Sequence, residues 1–200
     1  MPGGLSGAIG YRRELAGQRR RVLRLGLGSL LGGAVGAGLL LVLPAGAFSA
    51  IVPVLVVLGC VLVVLQPTIS AWVARRHDGS APADGAWWVW PAVLLTGVYG
   101  GYFGAAQGVL LMAVMGIGID ETLQRLNGVK NVLASIANAI AGLVFIVVAD
   151  VDWAVVALIA VGSVVGGQLG ASYGRRLPAT ALRALIVVVG LTAVTALLLG

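Results

Sequence analysis

The sequence predicts an all-α, polytopic membrane helix bundle of two inverted-topology repeats, the first incomplete, with short broken helices at the site. Three observations carry this prediction. Of 200 residues 60% are hydrophobic and only 10% charged, with mean hydropathy +1.05, whereas a soluble domain typically has about 25% charged residues. Apolar runs separated by short basic, glycine- or proline-bearing connections recur along the chain. A glycine-spaced pattern in the amino-terminal half returns in the carboxy-terminal half.

Residues 1–10 read as the tail of an apolar segment too short to span alone. Arg12, Arg13, Arg19, Arg20, Arg21 and Arg24 separate it from a long run, residues 22–43, whose glycines let helix backbones approach closely in lipid. Pro44 ends that helix, and the next, residues 51–65, is expected to stop before Gln66-Pro67. Residues 75–86 have the composition of a surface connection, and Trp87, Trp88 and Trp90 mark a membrane interface. The apolar run after them is broken by four glycines within Tyr99-Gly100-Gly101-Tyr102-Phe103-Gly104-Ala105-Ala106-Gln107-Gly108. The piece beyond, 109–119, is far shorter than the roughly 20 residues a spanning helix needs, so it either crosses with difficulty or re-enters. Three further helices follow, at 126–148, 154–173 and 181–199.

Internal repetition organises these elements. Gly28-Ser29, Gly32-Gly33, Gly36-Ala37 and Leu43-Pro44 reappear without a gap as Gly162-Ser163, Gly166-Gly167, Gly170-Ala171 and Leu177-Pro178, an offset of 134 residues (162 − 28). Arginines precede the first copy but follow the second, at Arg175 and Arg176. With both clusters cytoplasmic, five crossings between them make the halves antiparallel. Residues 1–200 then form one integral membrane domain: 1–74 an incomplete first repeat, 75–86 a cytoplasmic connecting loop, 87–200 the second repeat. On this logic the partners of residues 99–130 would lie before Met1, so the chain is expected to be shortened.

The candidate site follows from polarity set into apolar sequence. Asn127, Lys130, Asn131 and Asn138 fall within an arc of about 100° on one helix, and a broken pair of half-helices beside a polar face points to a transporter site. Gly100, Gly101, Gly104 and Gln107 at the break, with those four residues, are the expected substrate-binding set. Tyr99, Tyr102 and Phe103 are expected to gate or pack. Backbone N–H groups at the break suit an anion. The asparagines serve equally well as interhelical glue, and Lys130 as a snorkelling lysine near its helix end. Asp120 and Glu121 are expected to cap the helix after them. The basic residues other than Arg125 and Lys130 flank hydrophobic segments, which is a topology signal and not a nucleic-acid surface. Cys60 and His77 are isolated, and no nucleophile and base share a helix face. No enzyme activity, catalytic residue, metal site or cofactor is expected.

Gly97-Val98-Tyr99-Gly100-Gly101-Tyr102-Phe103-Gly104, Asn127-Gly128-Val129-Lys130-Asn131, Val151-Asp152-Trp153, and Gly166-Gly167 through Gly170-Ala171 to Arg175-Arg176-Leu177-Pro178 resemble the sulfite exporter TauE/SafE family. Gly10-Tyr11-Arg12-Arg13-Glu14-Leu15 is similar to its amino-terminal half. The resemblance covers almost the whole chain. It implies a multi-pass permease of the cell (inner) membrane, with the lipid bilayer and a small anion, a sulfur oxyanion or sulfonate, as partners. Members normally begin with a glycine-rich hairpin and an Asn-containing helix that this chain lacks, and Ala106-Gln107 replaces a more glycine-rich run. A second functional class therefore stands beside the permease: a non-catalytic membrane partner, or half-transporter, completed by a homo-oligomer or another subunit.

Overall fold

The computed structural model describes residues 15–75, 85–174 and 179–199, and among them every regular element is a helix. There are seven: α1 (Arg19–Val42), α2 (Ala45–Arg75), α3 (Val89–Tyr102), α4 (Gln107–Gly118), α5 (Leu123–Val148), α6 (Trp153–Gly174) and α7 (Ala179–Leu199). Arg19–Val42, Gly46–Arg75 and Leu123–Val148 are long and apolar enough to cross a membrane. Large apolar side chains stay open on their outer faces, among them Leu23, Val54 and Val147, as lipid contact requires. This is an integral membrane protein.

The second helix departs from the sequence expectation. It continues past residue 65 and carries Pro53 and Pro67 in its interior. A proline costs a soluble helix about 3 kcal/mol, but in lipid an interrupted chain would expose several backbone groups with no water to receive them, so the helix runs on. Pro44 does fall at the expected turn, where its carbonyl accepts from the Ala47 N–H at 2.9 Å.

Glycine decides the closest packing. A β-carbon on Gly32 would stand 2.8 Å from the Val98 nitrogen, and one on Gly36 2.8 Å from the Tyr102 nitrogen, distances that real side chains do not tolerate. The backbones of α1 and α3 therefore touch, running in the same direction from the Trp90 Nε1–H···O=C Arg24 bond (3.0 Å) upward. On its other side α1 lies along α5, where Ser29 Oγ donates to the Leu133 carbonyl at 2.6 Å. Leu25, Val89, Val93, Leu111, Met115, Leu126, Val129 and Leu133 fill the space among α1, α3, α4 and α5.

The break at residues 103–106 turns the chain back on itself. The Ala86 N–H just before α3 donates to the Gly118 carbonyl at the end of α4, at 2.8 Å. The 14 and 12 residues of the two helices reach only about 21 and 18 Å, against about 30 Å of hydrocarbon. Hence α3 and α4 form one hairpin that begins and ends at the same level, and the two separate crossings expected there are replaced by none. Removing both leaves three crossings expected before α6, an odd number like the five expected from the sequence. Of the two expectations for 109–119, this hairpin geometry fits re-entry.

The end of α2 packs on the end of α4, Val73 against Gly116, and its middle reaches the hairpin tip, Gly59 against Ala105. On the far side α2 meets α7, where Cys60 packs on Gly190. Helix α6 makes no extensive contact with any other described helix, and a β-carbon on Gly162 or Gly166 would have nothing within 4 Å. Among the described residues Gly166 thus lacks the close packing that Gly32, its counterpart in the repeat, makes. Residues 1–10, most of the 75–86 connection with His77, and Arg175 to Pro178 lie outside the described residues.

Candidate functional site at the hairpin tip

The tip is built from a tight, partly strained turn. Gly104 has φ +80° and Ala106 φ +58°, and at Ala106 a left-handed backbone costs roughly 1–2 kcal/mol. Tyr99 braces the turn. Its hydroxyl donates to the Ala105 carbonyl at 2.5 Å, and its ring meets Phe103 edge-on at 6.0 Å. Tyr99 and Phe103 thus shape the turn itself, while the Tyr102 hydroxyl is buried without a hydrogen-bond partner among the described residues.

Helix α4 starts from this turn with no side-chain cap. Within its first turn the Gln107 N–H donates to the Gly104 carbonyl at 3.4 Å and the Val109 N–H to the Ala106 carbonyl at 2.9 Å, so what the helix start offers a negative charge is chiefly the positive end of its dipole. Helix α5 passes alongside. The open face of Gly108 lies against the Lys130 side chain, whose Cδ would be 3.4 Å from a β-carbon there, and Gly104 would be 3.8 Å from Asn138 Oδ1. Lys130 is half-buried and donates to Asn127 Oδ1 at 2.9 Å. An ammonium has three donors, so two remain for a ligand. Asn138 Nδ2 donates back to the Ala134 carbonyl (2.8 Å) and Ser135 Oγ to the Asn131 carbonyl (2.7 Å). Asn131 itself is half-buried on the same helix.

The eight expected binding residues thus divide. Gly104, Asn127, Lys130, Asn131 and Asn138 share the tip and the adjoining stretch of α5. Gly100 and Gln107 face each other inside the hairpin: Gln107 Nε2 donates to the Thr96 carbonyl at 3.4 Å, and its side chain occupies the space where a β-carbon of Gly100 would be. Gly101 lies away from the tip, with its Cα side pressed on Gly33 of α1. Gly101 is a packing residue, and the reason is the same backbone contact that Gly32 and Gly36 make.

At the level where α1 and α5 begin, a charged cluster joins them. Glu121 accepts from Arg21 at 3.0 Å and from Arg125 at 3.2 Å, Arg21 also contacts Gln18, and Arg125 reaches the Ala16 carbonyl at 3.1 Å. Burial pushes the Glu121 carboxyl up, but the hydrogen bonds from Arg21 and the Thr122 backbone with the charges of Arg125 and Arg21 outweigh it and hold the group below the usual carboxylate range. Capping of α5 falls instead to Thr122, whose hydroxyl accepts from the Arg125 N–H at 3.4 Å. Asp152 Oδ1 caps α6, accepting from the Ala154 N–H at 2.9 Å. The cluster escaped sequence reading because Arg21 and Glu121 are 100 residues apart. The left-handed Ala106 escaped it because alanine carries no turn signal.

Among curated proteins and solved structures none matches the chain. The family profile described as Sulfite exporter TauE/SafE matches residues 1–197, nearly end to end. The glycine-broken hairpin and the Asn-Gly-Val-Lys-Asn segment that first suggested it are thus parts of one matched sequence, and this chain belongs to the sulfite exporter TauE/SafE family.

Proposed function

We propose that the protein is a permease exporting small anions, sulfur-containing oxyanions or sulfonates, across the cell (inner) membrane. The observation that carries this reading is the half-buried Lys130 lying against Gly108 at the positive end of the α4 dipole. The end of the α4 dipole, a lysine with unused N–H groups and the side-chain amides of Asn127, Asn131 and Asn138 offer an oxyanion a positive, donor-bearing setting that a cation would find repulsive. Gly100, Gln107 and Gly101 support the hairpin and Gly104 forms its turn. Tyr99, Tyr102 and Phe103 hold or gate the tip. A lysine deep in a bilayer costs about 2.5–3.5 kcal/mol on insertion scales, and an anionic ligand offsets that cost.

Transport proceeds by alternating access between two repeats, residues 1–74 and 87–200, joined by the 75–86 loop. The contact between α2 and α7 supports this. Both follow the repeated Leu-Pro turn, they run in opposite directions along their shared face, and Gly190 packs on Val56 and Cys60. Gly190 and Val56 are themselves 134 residues apart (190 − 56), the repeat offset. Equivalent positions meeting on antiparallel helices is what a pseudo-two-fold axis in the membrane plane produces.

Lys130→Ala and Asn131→Ala are expected to cut sulfite flux in reconstituted vesicles about tenfold or more, the loss of a charge-assisted hydrogen bond, at unchanged expression. Unchanged flux in both variants would remove this site. A second reading, a half-transporter that needs another subunit or a second copy, is favoured by one observation among the described residues: Gly162 and Gly166 of α6 are open where Gly32 of the same motif in α1 grips α3. Crosslinking in native membranes separates the two, because an active species that is always monomeric leaves no partner to find.

A further inference from the structure

We infer that the outward face of α1 is a binding site for one anionic membrane phospholipid, its phosphate held by Arg20 and Arg24 and an acyl chain laid along the apolar stripe beyond them. The inference is independent of what the protein transports. Helix α1 buries its glycines against α3 and α5, which leaves its opposite face to the surroundings. Arg20, Arg24, Leu27 and Leu31 follow at i, i+4, i+7 and i+11 and so fall within an arc of about 60°. All four are exposed, Leu27 at 60% and Leu31 at 48%. Arg21, between the two arginines in sequence, turns instead to Glu121 at 3.0 Å. Arg20 and Arg24 have no ion pair among the described residues.

Depth and chemistry select the occupant. Trp90 donates its indole N–H to the Arg24 carbonyl at 3.0 Å, and indole rings settle at the membrane interface, so Arg24 stands at head-group level. From Arg20 to Leu31 the helix rises about 16 Å, close to the depth of one leaflet of a hydrocarbon core about 30 Å thick. A lipid of that leaflet meets both parts of the face at once: guanidinium groups take its phosphate in paired hydrogen bonds, and the leucines receive its chain. A free phosphate uses only the arginines. A zwitterionic head group brings a cation beside its phosphate, which two unpaired arginines repel. An anionic head group such as that of phosphatidylglycerol carries no such cation.

The test is binding of the first lipid to the purified full chain in detergent, read by native mass spectrometry during titration with phosphatidylglycerol or with phosphatidylcholine of the same acyl chains. Wild type should prefer phosphatidylglycerol roughly 25-fold, about fivefold for each arginine. Arg20→Gln and Arg24→Gln should each lose about fivefold of that preference. Both side chains are exposed, so packing is undisturbed, and one variant failing to fold leaves the other. Arg75→Gln is the control. Arg75 is exposed at the same end of the bundle but lies on α2, which makes no extensive contact with α1, and its loss should leave the first lipid bound as in wild type. Equal binding of the two lipids, or a loss in Arg75→Gln as large as that in Arg24→Gln, would reduce the effect to general surface charge and overturn the site. Competition by soluble glycerol phosphate as strong as that by the lipid would also overturn it, by showing an anion site with no use for the leucines.

Discussion

Glu121 illustrates how single residues here hold elements and not merely each other. Its carboxylate ties the start of α5 to the start of α1 through Arg21 and Arg125. Because its folded pKa lies below the ordinary value, the stabilisation is full above the ordinary glutamate range and is lost as pH falls through the lowered value. Thermal stability in detergent should therefore drop on acidification below about pH 4, and Glu121→Gln should start lower at neutral pH and lose less on acidification. Identical pH profiles for the two proteins would show that this ion pair does not hold the junction. Gly32 and Gly36 make the opposite kind of contribution, by lacking a side chain. Gly36→Leu should prevent α1 from seating on α3 and abolish the folded protein, whereas Gly38→Leu, with nothing within 4 Å of its added β-carbon, should be tolerated. The two glycines sit in the same run, and only the structure separates them.

At the scale of elements, the re-entrant hairpin joins the fold to the chemistry. Its stability depends on the turn at 103–106. Gly104→Ala forces a side chain to φ +80° and should lower the melting temperature, while Ala106→Gly relieves a strained position and should be neutral or stabilising, roughly 1 kcal/mol of strain set against the entropy of glycine. A Gly104→Ala protein as stable as wild type would contradict the turn. The break, the half-length helices and the polar face of α5 were legible in the sequence because glycine clusters, short apolar runs and 3.6-residue spacing are local signals. That α4 returns beside α3 was not legible, since it is fixed by the Ala86 to Gly118 bond and by Val89 and Trp88 closing on Gly118. The run of α2 through Pro67 was misread for a related reason: proline stops a helix in water, where the freed carbonyl can be hydrated, and not in lipid.

For the molecule as a whole, the offset of 134 residues was visible in the sequence, whereas the contact of Gly190 with Val56 and Cys60 was not, because it joins two distant helices. The result is a bundle in which α1, α3 and α5 run side by side, α7 packs on the far side of α2, and the α3–α4 hairpin brings the start of α4 to the neighbourhood of Lys130. Topology follows: single cysteines placed at Trp87 and Ile117 should be labelled from the same side of the membrane, and labelling from opposite sides would mean that the hairpin crosses. The claim on which transport depends is that the hairpin tip and Lys130 bind an anion together. Sulfite binding to the purified protein, measured calorimetrically for wild type, Lys130→Ala and Lys130→Arg, tests it most directly. The account predicts binding in wild type, loss of about tenfold or more in Lys130→Ala and partial recovery in Lys130→Arg. Equal affinity in all three proteins would contradict it.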